Sequence, residues 1–132
     1  MNSNDIRNSF LDYFESKGHK IIPSASLIPH DNSLLFTAAG MVPLKDYFLG
    51  NKDTDTPNMV SSQKCLRTID IDIIGDTDRH LSFFEMLGNF SVGKYFKEEA
   101  IKYSYEYITE VLKVDKDKLW FTVYKTDEEA YK

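Results

Sequence analysis

The chain has one cysteine, Cys65, in 132 residues. That excludes an internal disulfide and a zinc site built from cysteines, and it fits a reducing compartment. His19 and His30 are isolated, and neither stands at metal-ligand spacing from another His or Cys, so structural roles are expected for both. A basic excess is missing as well: 16 Lys and Arg stand against 21 Asp and Glu, a net charge of -5. This argues against non-specific nucleic-acid binding through a basic surface, although a local cationic site for a polyphosphate stays open. No apolar run is long enough to cross a bilayer. The polar start (Asn2, Ser3, Asn4, Asp5) carries no signal-peptide core, so a cytoplasmic protein without membrane association is the expectation. What is there is ordinary globular material, 42% hydrophobic with 14% aromatic, enough for one domain with a real core.

Apolar spacing predicts the elements. Ile6, Phe10 and Phe14 recur every four residues behind Ser3 or Asn4 as a cap, and Lys17-Gly18 supplies a helix stop. Ile21-Ile22 before Pro23 predict an extended segment. Leu34-Leu35-Phe36-Thr37 reads as a short strand, and Pro43 as the start of a short helix carrying Leu44, Tyr47 and Phe48. Residues 59–67 and 81–90 read as antiparallel strands joined by a loop over 68–78. The loop acids Asp70, Asp72, Asp76 and Asp78 lack the pattern of a calcium loop, so a solvated loop is expected. Residues 95–113 give the clearest helix, and 119–124 read as a strand buried on both sides. Thr126 followed by Asp127, Glu128 and Glu129 is a helix start with no stop after it. The sequence is therefore expected to be a cut piece, with a frayed terminal turn as the alternative. The order of elements predicts an α+β fold, an antiparallel sheet flanked by helices.

The segment Arg79-His80-Leu81-Ser82-Phe83-Phe84-Glu85-Met86-Leu87-Gly88-Asn89-Phe90-Ser91 mixes a cation, a histidine, a carboxylate and three phenylalanines. That mixture suits a ligand both flat and charged, such as a nucleotide. If the two strands pair, Arg67 at the end of the first meets Arg79 and His80 at the start of the second. Guanidinium groups there can clamp phosphate oxygens in bidentate fashion and stabilise charge that develops during adenylyl transfer. Strand alternation puts Phe84 and Met86 on one face, Phe83 and Glu85 on the other. An aromatic facing the ligand can stack on adenine, and a carboxylate can accept from an amino group. The competing reading makes the phenylalanines core and puts Arg79 or Glu85 in surface ion pairs. Residues 88–93 are not a phosphate loop, for they lack the Gly-rich spacing and the Lys-Ser/Thr pair.

In chain order, Phe10-Leu11-Asp12-Tyr13-Phe14 with Lys17-Gly18-His19, Ser26-Leu27-Ile28-Pro29-His30, Leu34-Leu35-Phe36-Thr37-Ala38-Ala39-Gly40-Met41, Lys45-Asp46-Tyr47-Phe48-Leu49-Gly50, Ser62-Gln63-Lys64-Cys65-Leu66-Arg67 and Phe83-Phe84-Glu85-Met86-Leu87-Gly88-Asn89-Phe90-Ser91 resemble the alanyl-tRNA synthetases, class II aminoacyl-tRNA synthetases. The resemblance runs along essentially the whole chain, and the last two blocks are its most specific parts. It implies a six-stranded antiparallel catalytic sheet flanked by helices. It also implies ATP-dependent activation of alanine to alanyl-adenylate and transfer to tRNA(Ala). Pro29 lies near the end of the family's motif 1. Arg67 matches the motif 2 arginine, which implies a catalytic role holding both the ATP α-phosphate and the amino-acid carboxylate. Met41 aligns with a methionine near the alanine side-chain pocket. Arg79, His80, Phe84, Glu85 and Met86 fall on the second motif 2 strand, which implies that they line the ATP site. Mg2+ is expected to enter with ATP, zinc only in an editing domain outside this chain, and no metal site within it.

Some positions depart from the pattern. The loop between Arg67 and Arg79 is short and isoleucine-rich, without the lysine of longer-loop members. Leu81 and Ser82 stand where His-Thr is common, and Asp78 precedes Arg79 where a small residue is usual. The resemblance makes residues 1–132 the N-terminal portion of the catalytic domain, ending before motif 3, whose arginine completes the ATP site. It also ends before the aspartate that binds the alanine amino group. Such a piece is expected to be weak or inactive alone, with ATP or adenylate binding at best. A free-standing nucleotide-binding module and a dimerisation module are the alternatives, and self-association is left open.

Overall fold

The computed structural model describes residues 1–69, 71–78 and 80–132. Asp70 and Arg79, both singled out above, lie outside the described residues. The chain forms two compact units, Met1–Val92 and Gly93–Lys132. Among the described residues no helix is long and apolar enough to cross a membrane.

The first unit begins with helix α1, Ser3–Ser16. Its cap falls on Asn2, ahead of the Ser3 or Asn4 expected. The Asn2 side chain accepts from the Asp5 N–H at 3.0 Å, and the Asp5 carboxylate accepts from the Asn2 N–H at 2.9 Å. Two orphan donors of the first turn are thereby satisfied reciprocally. Gly18, at φ +85°, turns the chain where the glycine stop was expected. The apolar stripe of α1 is largely aromatic. Phe14 is 1% exposed and lies 4.8 Å from the Phe10 ring, 5.0 Å from Tyr13 and 5.1 Å from His19. Burying one such ring stabilises the unit by about 2–3 kcal/mol.

Three strands follow in the order β1-β2-β3: β1 is Lys20–Ile21, β2 is Asn58–Leu66 and β3 is Phe83–Ser91. β2 and β3 pair antiparallel, in register from Asn58 with Ser91 to Leu66 with Phe83, as the alternation predicted. β1 pairs with β2 in parallel, adding a short parallel edge to the antiparallel pair that was expected. A connection of many residues between β1 and β2 makes parallel pairing feasible. Partners across the hairpin share a face. One face carries Val60, Ser62, Lys64 and, on β3, Glu85; α1 reaches this face through Arg7, which bonds Glu85. The other carries Met59, Ser61, Gln63 and Cys65 with Phe90, Gly88, Met86 and Phe84.

Residues 22–49 form a strap along this second face. β1 is short, so the outer edge of β2 needs other partners for its backbone. The strap supplies them: the Lys64 N–H donates to Ser24 Oγ at 3.0 Å, and the Leu66 N–H to the Thr37 carbonyl at 3.0 Å. The strand expected at 34–37 does not form, because only Thr37 reaches β2. Beyond it, a 3-10 turn over Val42–Leu44 leads into the short helix α2, Lys45–Phe48, near Pro43 as expected. Between β2 and β3, a 3-10 turn spans Ile71–Ile73 in the loop.

The second unit holds helix α3, Lys97–Glu106, with Glu98 and Glu99 in its first turn. The single α-helix expected over 95–113 is shorter than that. A π-helical turn, Tyr107–Val111, follows it, with the Leu112 N–H on the Tyr107 carbonyl at 3.0 Å. Thr109 gives a cause: its hydroxyl takes the Tyr105 carbonyl at 2.8 Å, competing with the regular ladder. The strand expected over 119–124 is also absent among the described residues, and its side chains are not buried on two faces: Trp120 is 93% exposed. Helix α4, Glu128–Tyr131, is capped by Asp127 rather than Thr126. Lys97 holds both Asp127 carboxylate oxygens at 2.8 Å.

Candidate functional site

Strand alternation and the β2–β3 register bring Arg67, Phe84 and Met86 to one face. Arg67 continues β2 past its last ladder pair, its N–H donating to the Ser82 carbonyl at 2.8 Å. The guanidinium carbon lies 5.1 Å from the centroid of the Phe84 ring. This is the stacked geometry a planar cation favours over an aromatic face. Nε donates to the Ala38 carbonyl of the strap at 3.0 Å. Neither Nη nitrogen bonds any described residue. A guanidinium fixed at Nε and open at both Nη groups presents a planar fork suited to two phosphate or carboxylate oxygens.

Met86 sits two residues along β3, opposite Gln63. Its Sδ accepts from the Gly40 N–H at 3.3 Å. Met41, next in sequence, is 52% exposed. Met41 thus follows directly on the strap residue that bonds Met86. A Cβ at Gly40 would lie 3.3 Å from Phe90 Cζ and 3.8 Å from Met86 Sδ, so glycine is what lets the strap approach this closely. Cys65, opposite Phe84, is fully buried, and burial pushes its thiol pKa up.

Glu85 points away from this group. Its Oε2 accepts from Arg7 Nε at 3.1 Å and Nη2 at 2.6 Å, while Arg7 Nη1 donates to Asn4 Oδ1 at 2.6 Å. The surface ion pair kept open by the sequence is what Glu85 makes. His80 Nδ1 lies 2.6 Å from the Thr77 hydroxyl, at the loop end of β3. Among the described residues no group of three or more His, Cys, Asp or Glu could hold a metal ion.

A cavity of about 490 Å³ opens elsewhere on the strap, lined by residues including Ser26, Asp31, Thr37, Lys45 and Lys52. Among the described residues, none of the predicted site residues lines it. There the Lys45 ammonium, 2.7 Å from Asp31, and hydrogen bonds from Ser33 hold the Asp31 carboxyl well below the usual range. Arg67, Phe84 and Met86 share a sheet face at the edge of the strap, apart from this cavity.

Sequence reasoning gave no role to Gln63, Thr37, Ala38 or Arg7. Gln63 had a signal: it stands at an inward position between Ser61 and Cys65, and a buried amide in a strand needs partners.

The sequence as a whole matches known proteins. Residues 5–132 match the family model described as tRNA synthetases class II (A). The chain belongs to this family of class II aminoacyl-tRNA synthetases, whose catalytic fold class its mixed sheet and flanking helices share. Membership implies, in general terms, the use of ATP with Mg2+. Among individual proteins, it is similar to the alanine–tRNA ligases of Fusobacterium nucleatum and Thermotoga maritima, 58% identical over 132 residues that make up 100% of this chain and 15% of each relative. The alanine–tRNA ligase of Carboxydothermus hydrogenoformans is 58% identical over 132 residues, 99% of this chain and 15% of the relative. The chain spans about 15% of the length of the curated relatives it matches.

Proposed function

We propose that residues 1–132 are the N-terminal portion of the catalytic domain of an alanine–tRNA ligase, and that their share of the reaction is to bind ATP and the alanine carboxylate. The 58% identity to alanine–tRNA ligases over the whole chain carries the reading. In the activation step an alanine carboxylate oxygen attacks the α-phosphorus of ATP. The bond to the bridging oxygen breaks, pyrophosphate leaves, and the mixed anhydride alanyl-adenylate forms. The 3′-terminal ribose of tRNA(Ala) then attacks the carbonyl and AMP leaves.

In this reading Arg67 is the catalytic cation. Its open Nη groups bind the α-phosphate and the carboxylate, where negative charge builds at the pentacoordinate phosphorus. A cation already stacked on Phe84 and bonded to Ala38 needs little rearrangement as that charge develops. Phe84 and Met86 contribute the apolar surface for the base, and Met41 borders the alanine methyl. His80 acts from the loop end on the phosphates, and Arg79, its neighbour in sequence, is proposed to add a second cation for them. Glu85 acts through Arg7, holding β3 against α1, rather than by contact with adenine. Mg2+ arriving with ATP would supply charge neutralisation on its phosphates, alongside the Arg67 guanidinium.

Calorimetric titration with a non-hydrolysable alanyl-adenylate analogue, alanyl-sulfamoyl-adenosine, tests the reading. The chain binds it more tightly than the leucyl counterpart, and the purified 132 residues give no robust alanine-dependent ATP–pyrophosphate exchange. Equal affinity for the two analogues contradicts the alanine assignment. Robust exchange contradicts the view that the rest of the site lies elsewhere.

A further inference from the structure

Gln63 and Thr37 are 2% and 1% exposed. The Gln63 amide treats Ala25 as a neighbouring strand would: Oε1 accepts from its N–H at 2.8 Å, and Nε2 donates to its carbonyl at 3.1 Å. Nε2 also donates to the Lys64 carbonyl at 2.8 Å, so both amide protons are used. Thr37 continues the track. Its hydroxyl donates to the Ser26 carbonyl at 2.8 Å and its N–H to the Leu27 carbonyl at 2.8 Å, while its own carbonyl takes the Leu66 N–H at 3.0 Å. The next carbonyl along, Ala38, is the one that receives Arg67 Nε at 3.0 Å.

We propose that Gln63 and Thr37 are positioning residues for Arg67: they pin the strap so that the Ala38 carbonyl holds Nε and leaves the two Nη groups as an oriented fork. The proposal rests on Arg67 being the phosphate clamp. A long side chain loses rotamer freedom when it binds a ligand, and a tether that removes this freedom beforehand lowers the cost of binding. A bare arginine at a strand end would pay that cost at each encounter. The tether works through one backbone carbonyl, which the bonds of Thr37 within the strap and to Leu66, and of Gly40 to Met86, hold in place.

Three variants separate positioning from folding. Thr37→Val keeps the shape and loses the hydroxyl, Thr37→Ser keeps the hydroxyl, and Gln63→Glu turns a donor toward two carbonyls into an acceptor. Two readouts are taken on the 132-residue chain: the order parameter and exchange rate of the Arg67 Nε–H by 15N NMR, and the Kd for ATP by calorimetry. In Thr37→Val and Gln63→Glu the Nε–H exchanges faster and loses order. ATP binding weakens by about tenfold, the fold-change that the loss of one net hydrogen bond amounts to. Thr37→Ser stays within twofold of the parent on both. If Gln63→Glu does not fold, the threonine pair decides. An Nε–H unchanged in Thr37→Val overturns the tether. A changed Nε–H with no ATP binding by the parent chain leaves the tether standing and overturns the phosphate reading of Arg67 instead.

Discussion

Gly88 lies in mid-strand opposite Ser61, with the Phe90 ring folded back across it. A Cβ added there would lie 2.6 Å from Phe90 Cζ and 2.8 Å from Cε2. Ordinary carbon contacts are about 3.5–4 Å, so the ring must move by about 1 Å. The strap lies close to the same ring, since a Cβ at Gly40 would be only 3.3 Å from Phe90 Cζ, and the Phe48 ring stands 6.4 Å away, edge to face. Overpacking of this kind costs about 1–3 kcal/mol. Replacing a strand glycine by alanine otherwise gains about 0.5–1 kcal/mol of backbone entropy. The 2.6 Å approach puts the clash in the upper part of the overpacking range, about 2–3 kcal/mol, so Gly88→Ala is expected to destabilise by about 1–2 kcal/mol net. With a urea slope of about 2 kcal/mol/M, the midpoint falls by about 0.5–1 M. The same substitution in a Phe90→Ala background meets no ring and is neutral or stabilising, so the double-mutant cycle isolates the contact. A midpoint that holds or rises in the parent background, or a coupling near zero, refutes the reasoning.

Other substitutions separate strong contacts from weak ones. Arg7→Ala removes a partly exposed pair, with side chains 28% and 35% exposed, and costs about 0.5–1 kcal/mol in urea melts, less at high salt. A loss above about 2 kcal/mol would mean the pair is far more shielded than its geometry shows. Trp120→Lys changes stability by less than about 0.5 kcal/mol, since the indole is 93% exposed; a large loss would show that the ring is buried in solution. His19 gives a pH dependence. Burial lowers its pKa below 6.5, outweighing the Phe14 carbonyl 3.1 Å from Nδ1, which raises it. The unfolded chain then binds the proton first. This contribution is fully present above pH 6.5 and is lost as pH falls from there toward the folded pKa. Urea midpoints at pH 7.5 and 5.5 should differ less in His19→Asn than in the parent, and an equal difference would contradict the assignment.

The hairpin was legible in the sequence because alternation and charge agreed there: residues 59–67 and 81–90 became β2 and β3 within two residues at each end. The same rule misread 34–37 and 119–124, because an apolar extended stretch becomes a strand only if a neighbour takes its backbone. At Thr37 that neighbour is a single bond to β2, and at 120–123 no backbone bond to a described residue forms. Local pattern also missed the Thr109 hydroxyl that ends α3 in a wide turn. Of the site, the shared face of Phe84 and Met86 followed from period two alone, and Arg67 from its place at the strand end. The Ala38 carbonyl under Arg67 Nε was not legible, since a backbone group carries no mark in the sequence.

In the proposed function the face carrying Arg67, Phe84 and Met86 binds the nucleotide. The chain has four methionines, Met1, Met41, Met59 and Met86, and 13C-methyl labelling gives each a separate NMR signal. Met86 lies on that face, Met41 borders it, Met59 is 3% exposed in the core and Met1 is at the exposed start. Titration with Mg-ATP is expected to shift Met86 and leave Met1 and Met59 in place, with Met41 moving further when the alanyl-sulfamoyl analogue replaces ATP. In Arg67→Ala the Met86 shift requires at least tenfold more ATP, as expected for loss of a charge-assisted bidentate contact. A Met86 signal that stays fixed at millimolar ATP, or one that titrates identically without Arg67, contradicts the account.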